Sequence, residues 1–261
     1  MRKSSTIKSL CLAVAFVFAG FTANAQLTHL EQSVFLNFNA ATAAFNDDLA
    51  TDVLTLKDQT IPLTRHNVGK NSGLGVGIGY RISYRFDVGF GEVSPYIHAD
   101  FNWNRTKSAV RDKFLDADGK APNYFNLPIF VGVNYRYQLN DVITPFVEFG
   151  IGPDILFISK EKGTFSYETV DEYNALYTAT KEFDYKYHTT INLAWQIGAG
   201  CYFGEHVSAS IHYNGYGKHA IKPNKNQVED LGDLLNPTYA ADTKTQNRSI
   251  GLLSLRIGFH F

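Results

Sequence analysis

Residues 125–139, F-N-L-P-I-F-V-G-V-N-Y-R-Y-Q-L, decide the fold. Apolar side chains alternate along this stretch with positions that include Gly132, Asn134 and Arg136. Because successive side chains of a β-strand point to opposite sides of the sheet, this period of two predicts a strand. The segment is longer than the roughly 9–11 residues with which a tilted strand crosses a bilayer.

The same alternation recurs in seven other segments. These are residues 34–40, 74–86, 93–104, 143–155, 190–203, 207–214 and 253–261. No charged residue falls on the apolar side of any segment, as expected for a face that contacts lipid, where a central Lys or Arg costs about 2–4 kcal/mol. Aromatic residues near the segment ends are typical of the girdles at the two membrane interfaces.

The connections between these segments alternate between short and long. The short links are residues 87–92, 140–141 and 204–206, and the long polar links are 41–72, 106–123, 157–188 and 218–247. An up-and-down meander with both termini on one side has this alternation. We therefore predict an all-β fold, an eight-stranded antiparallel up-and-down transmembrane β-barrel with short periplasmic turns and long extracellular loops.

The N-terminal segment has the features of an export signal. Basic residues precede an apolar run over residues 10–18, and Ala23-Asn24-Ala25 offers the small-x-small pattern of a cleavage site. We predict a signal peptide over residues 1–25 and one barrel domain over 26–261. Export without a membrane-spanning helix predicts the outer membrane of a Gram-negative cell as the location.

Composition excludes several classes of function. With 24 basic and 25 acidic residues the net charge is −1, which argues against binding to nucleic acid. Two cysteines are too few for a disulfide scaffold or a Cys-based zinc site. The glycines of residues 73–79 alternate within a strand, so they do not form a dinucleotide-binding turn, and residues 116–119 lack the later ligands of a calcium loop. We expect no cofactor and no metal.

Four short segments resemble a known family. They are N-L-P-I-F at residues 126–130, T-P-F at 144–146 with Gly150-Ile151-Gly152 after it, G-A-G at 198–200, and the terminal Phe261. In these the chain resembles the outer-membrane β-barrel domain family, in particular the PorT-like barrels of Bacteroidetes-type bacteria, which have the eight-strand plan of OmpA and OmpX. The resemblance implies that Phe259 and Phe261 form the signal that the barrel-assembly machinery reads during insertion.

Charged residues on the inward side of the strands form the main candidate site. They are Arg81, Arg85, Asp100, Arg136, Glu148, Asp154 and Arg256. Eight strands enclose a lumen just wide enough for side chains, and buried charges must be paired. We therefore predict an ionic and hydrogen-bonded plug and a structural role for the barrel. The alternative is a narrow ion or small-solute channel that this cluster gates.

Two serine–histidine pairs raise the question of hydrolase activity. His206 and Ser208 lie beside a short, periplasmic turn, and Ser210 and His212 point into the lumen. Neither geometry suits a substrate in the outer leaflet, so we predict that the protein is not an enzyme.

The long loops are the expected contact surface. Residues 157–188 combine tyrosines with acidic and basic side chains, and aromatic loops on a rigid scaffold suit recognition. We expect outer-membrane lipid around the barrel, and an adhesion partner or extracellular ligand at loops 41–72 and 157–188. The alternation near residues 183–187 equally predicts that two strands extend above the membrane as a hairpin.

Overall fold

A computed structural model describes residues 29–42, 45, 53–56, 59–62, 72–107, 120–170, 176–222 and 246–261. The signal peptide predicted for residues 1–25 lies outside the described residues, as do parts of all the long loops. Among the described residues, no helix has the length and apolar character needed to cross a membrane.

The described residues form thirteen β-strands. In chain order these are β1 (Leu30–Ala41), β2 (Val53–Leu56), β3 (Gln59–Pro62), β4 (Ser72–Tyr84), β5 (Phe86–Asp87), β6 (Glu92–Thr106), β7 (Asn123–Arg136), β8 (Ile143–Ile158), β9 (Glu161–Val170), β10 (Leu176–Tyr185), β11 (Thr190–Phe203), β12 (Val207–Ile221) and β13 (Gln246–His260).

Eight of these strands close into a barrel. Their order is β4-β1-β13-β12-β11-β8-β7-β6, and the β4–β6 pairing closes the ring. Every neighbouring pair is antiparallel. The short β5 follows β4 after Arg85 and pairs with the start of β6. The predicted eight-stranded antiparallel barrel is confirmed.

Three strands extend furthest beyond the predicted segments. β1 begins at Leu30 rather than residue 34, β13 begins at Gln246, and β12 runs on to Ile221. In β12 a bulge lies between Gly215 and Gly217, and Gly217 has a φ of 75°, in the region that favours glycine. The extra residue moves the inward positions from even to odd numbers, which is why the sequence pattern ended at residue 214.

The described parts of the long loops contain two hairpins. β9 and β10 pair in register from Glu161↔Tyr185 to Val170↔Leu176, as the hairpin interpretation of residues 157–188 predicts. β2 and β3 form a smaller hairpin within residues 41–72. At the opposite end the turns are tight: the Asn140 side chain accepts hydrogen bonds from the Val142 and Ile143 amides at 2.9 and 2.8 Å.

The two faces of the barrel have opposite character, because alternate side chains point in and out. Outward residues such as Ile97, Val131 and Ile191 are each more than 60% exposed. Inward residues are buried and mostly polar, with a cluster of aromatic and aliphatic side chains including Phe45, Tyr124 and Tyr216 at the extracellular end. The outer face is therefore apolar over its width, and the inward face is mostly polar and buried.

Candidate functional site

The centre of the lumen holds a bidentate ion pair. Arg81 on β4 donates to both carboxylate oxygens of Glu148 on β8, at 2.8 and 2.6 Å. Both side chains are almost fully buried. Glu148 also accepts a hydrogen bond from Asn134 at 3.1 Å and lies 3.5 Å from Nη1 of Arg256. The strands β6 and β7 separate β4 from β8, so this pair crosses the lumen rather than joining neighbours.

A second ion pair crosses the lumen beside the first. Arg256 on β13 donates to Asp100 Oδ2 on β6 at 2.9 Å and to the Asn37 side chain at 3.0 Å. The same carboxylate oxygen lies 2.8 Å from His98 Nε2. The two ion pairs contact each other through Arg256 and Glu148, and two guanidinium groups are balanced by two carboxylates.

Aromatic side chains cover the guanidinium groups. The Cζ atom of Arg81 lies 4.1 Å from the ring centre of Tyr96 and 4.9 Å from that of Phe35. Arg136 lies over Tyr202 in the same way, at 4.3 Å. Cation–π contacts strengthen where water is excluded. The inward aromatic residues therefore stabilise the buried arginines. This role was not predicted from the sequence, where only pairs of opposite charge were considered.

The inward glycines of β4 allow bonds between strands that are not neighbours. Asn37 on β1 donates to Asp100 on β6 at 2.8 Å, and Asn39 donates to Asn102 at 2.8 Å. These side chains meet above β4, which lies between β1 and β6. A Cβ atom at Gly79 would overlap Asp100 Oδ1, and one at Gly77 would overlap Asn102 Oδ1. Glycine is required here for close approach.

Arg136 and Arg85 lie at the periplasmic end, around a carboxylate that the sequence analysis missed. Glu31 accepts a hydrogen bond from Arg136 Nη1 at 3.0 Å, and Arg85 Nε lies 3.8 Å from it. Because the predicted first strand began at residue 34, Glu31 was not among the inward charges. Glu31 shares one side of the strand with Ser33 and Phe35, and this period of two could have identified Glu31 as an inward residue. These groups line a cavity of about 1020 Å³ that opens between the short turns.

Asp154 lies apart from the arginines, near the extracellular end. His219 Nε2 is 3.1 Å from Asp154 Oδ2, and the Asn126 side chain donates to the same oxygen at 2.8 Å. In the same half of the barrel, Asn102 on β6 donates to the Tyr216 hydroxyl at 3.1 Å. The seven predicted charges therefore form three layers rather than one cluster. His219 could not be placed from sequence, because it follows the β12 bulge.

Two serine, histidine and glutamate relays occur in the lumen. His260 Nε2 lies 2.8 Å from Ser208 Oγ, and its Nδ1 lies 2.8 Å from Ser33 Oγ and 3.3 Å from Glu31 Oε1. His212 lies 2.8 Å from Ser210 Oγ and 3.4 Å from Glu148. The serines and histidines are buried, and their backbones pair on both sides with neighbouring strands. The ladder therefore uses the amides that an oxyanion hole would need.

No group of three His, Cys, Asp or Glu side chains in the described part of the chain is arranged to hold a metal ion. Four histidines of the lumen, His98, His212, His219 and His260, each have a ring nitrogen within 3.1 Å of a serine or carboxylate oxygen.

Comparison with known proteins places the chain in a family. The sequence profile of the family described as "Outer membrane protein beta-barrel domain" matches residues 9–251. The chain belongs to this outer-membrane β-barrel family. No curated protein sequence matches it significantly. Membership, together with the closed barrel and its apolar outer face, locates the protein in the outer membrane.

Several solved structures are similar to this outer-membrane barrel over most of its length. The attachment invasion locus protein Ail of Yersinia pestis is 11% identical, with 90% of this chain and 100% of Ail covered and a TM-score of 0.37. OprG of Pseudomonas aeruginosa is 14% identical, with 88% and 95% covered and a TM-score of 0.38. The outer membrane enzyme PagL is 15% identical, with 87% and 97% covered and a TM-score of 0.35.

The C-terminus of the barrel lies at its periplasmic end, where the first and last strands meet. The Phe261 amide donates to the Gln32 carbonyl at 2.9 Å, and the Gln32 amide donates back at 3.2 Å. Phe259 faces outward and Phe261 is 77% exposed. The two aromatic side chains thus lie on the outer surface beside the seam between β1 and β13.

Proposed function

We propose that this protein is a non-conducting outer-membrane scaffold that presents its long loops to an adhesion partner or extracellular ligand. The observation that carries the proposal is that side-chain bonds span the lumen between strands that are not neighbours. Arg81–Glu148, Arg256–Asp100 and Arg136–Glu31 each do so. A continuous water path would have to break them.

A charge buried away from water is unfavourable when it is separated from its partner. Removing one partner costs about 3–5 kcal/mol, because the remaining charge is left uncompensated. Three such pairs at two depths, packed against Phe35, Tyr96 and Tyr202, oppose thermal opening of the lumen. This supports a structural barrel over a gated pore.

We expect the purified protein to show no conductance steps above baseline in planar lipid bilayers over ±100 mV, an order-of-magnitude range for membrane potentials. A related barrel of known conductance, reconstituted in the same way, is the control. Reproducible openings of the wild type that change in Arg136→Ala or Glu148→Ala would instead establish the narrow channel. The observation that favours this second candidate is the periplasmic cavity, which is lined both by the short turns and by Arg136 and Glu31 inside the barrel.

Surface exposure of the loops is tested by proteolysis of intact cells. We expect cleavage within residues 157–188, because the β9–β10 hairpin extends beyond the strands that cross the membrane. The periplasmic turn at residues 87–92 is the internal control and should stay intact until the outer membrane is permeabilised. Cleavage of 157–188 only after permeabilisation would contradict the proposed orientation.

The proposal includes three further expectations. The protein is not an enzyme, an inference supported by the burial of Ser208 and Ser210. Its residues 1–25 are removed as a signal peptide on export. Phe259 and Phe261 are recognised by the barrel-assembly machinery during insertion, an inference supported by their outward position beside the barrel seam.

A further inference from the structure

An apolar trough runs along the lipid-facing side of β4 in the extracellular half of the barrel. Its two rows across β1, β4 and β6 follow from the strand registers: Leu36, Ile78 and Phe101 form one, and Phe38, Val76 and Trp103 the other. In the second row the short Val76 lies between two large aromatic residues. The trough has a volume of about 390 Å³, and its floor includes Gly77.

One wall of the trough is a rigid aromatic surface. Trp103 and Phe125 stack with their ring centres 6.4 Å apart and their planes 8° from parallel, and Phe101 stacks on Phe125 at 5.8 Å. Stacked rings lose little conformational freedom when an apolar chain packs on them. The wall therefore loses less conformational entropy on binding a ligand than separate aliphatic side chains would.

A cation lies at the extracellular end of this wall. Arg105 follows Trp103 on the same face of β6, and its Cζ atom lies 4.7 Å from the Trp103 ring centre. Arg105 is exposed. Arginine binds phosphate with paired hydrogen bonds. Arg105 could therefore bind the phosphate of a lipid headgroup while an acyl chain of the same lipid lies in the trough.

Other cations lie at the same end of the barrel as Arg105. Among residues with described side chains, the exposed ones are Lys120, Lys160, Lys162, Lys186 and Lys218. Arg105 contacts the trough wall directly, through the ring of Trp103.

We propose that the trough is a binding site for a phosphorylated glycolipid of the outer leaflet, with one acyl chain lying between Phe38 and Trp103 and a headgroup phosphate held by Arg105. The site depends on the membrane location and not on the proposed scaffold function. A conducting barrel would bear it equally well.

The test uses diphosphoryl lipid A and its dephosphorylated form, added to the folded protein in detergent micelles. The chain has two tryptophans, so Trp195→Phe leaves Trp103 as the sole tryptophan, whose fluorescence is excited selectively over that of the tyrosines. We expect saturable quenching or shift of Trp103 fluorescence, and at least fivefold tighter binding of the phosphorylated form. Val76→Phe, which fills the trough, should weaken both forms at least fivefold. Arg105→Ala should abolish the preference for phosphate.

Matched controls lie elsewhere on the same surface. Val131→Phe adds the same bulk to an outward position on β7, and Lys218→Ala removes an exposed cation from β12; both should bind within twofold of the parent protein. Heat-modifiable gel mobility verifies that each variant is folded. Unchanged lipid binding in Val76→Phe would overturn the trough. A phosphate preference that survives in Arg105→Ala, or falls equally in Lys218→Ala, would overturn the headgroup contact.

Discussion

Replacing Glu148 with alanine is expected to destabilise the folded barrel by about 3–5 kcal/mol. Glu148 accepts both hydrogen bonds of Arg81 and lies 3.5 Å from Arg256. Its removal leaves two guanidinium groups in the lumen with Asp100 as the remaining carboxylate at that depth. Denaturant titration of the protein folded into lipid vesicles, followed by gel mobility, measures the change.

A double variant separates the cost of unpaired charge from the cost of lost packing. In Arg81→Met/Glu148→Leu both charges are removed while Arg256 keeps Asp100, and buried pairs replaced by apolar residues of similar size are often close to neutral. We expect the double variant to recover most of the loss. Glu205→Ala, at an exposed turn, is the control and should lie within about 0.5 kcal/mol of the wild type. A loss below about 1 kcal/mol in Glu148→Ala would mean that water reaches the arginines, contrary to a plugged lumen.

A single added methyl group at Gly79 is expected to destabilise the barrel by about 2–4 kcal/mol. The new Cβ atom would overlap Asp100 Oδ1. Asp100 is held by Asn37 and Arg256, so its displacement breaks buried hydrogen bonds as well as overpacking the strand. Overpacking and an unsatisfied buried group each cost about 1–3 kcal/mol, and the two overlap in part.

The same strand provides the control for this substitution. At Gly73 the nearest atom to an added Cβ is the Arg105 carbonyl oxygen at 3.4 Å, an ordinary contact. Gly73→Ala should therefore change the free energy of unfolding by less than about 0.5 kcal/mol. Equal effects at Gly73 and Gly79 in vesicle unfolding would show that alanine acts through general strand properties and not through the bonds that cross β4.

Most of the fold could be predicted because a barrel repeats one rule. Alternation at residues 125–139 and in the other segments identified the strands, and the order of short and long links identified their antiparallel neighbours. The rule failed where the backbone departs from the period of two. The bulge at Gly215–Gly217 hid the end of β12. The polar start of β1 hid Glu31.

The partners within the lumen could be predicted only as a set. The alternation of side chains identifies Arg81, Arg136 and Arg256 as inward residues. It does not show how deep each one lies in the barrel or which strand lies opposite. Arg136 pairs with Glu31, and Asp154 pairs with His219 rather than with one of these arginines. Strand stagger and closure of the ring determine those distances, and no local pattern encodes them.

By itself, the sequence determined the membrane location, the number of barrel strands and the face on which most of their side chains lie, because these depend on local period and on the cost of charge in lipid. The tertiary structure alone decided three things: which charges meet across the lumen, why Gly77 and Gly79 must lack side chains, and where Val76 leaves a trough beneath Arg105. The first depends on strands that face each other across the lumen, and the other two depend on the register of β1, β4 and β6. Strand stagger and the closure of the barrel between β1 and β13 decide both.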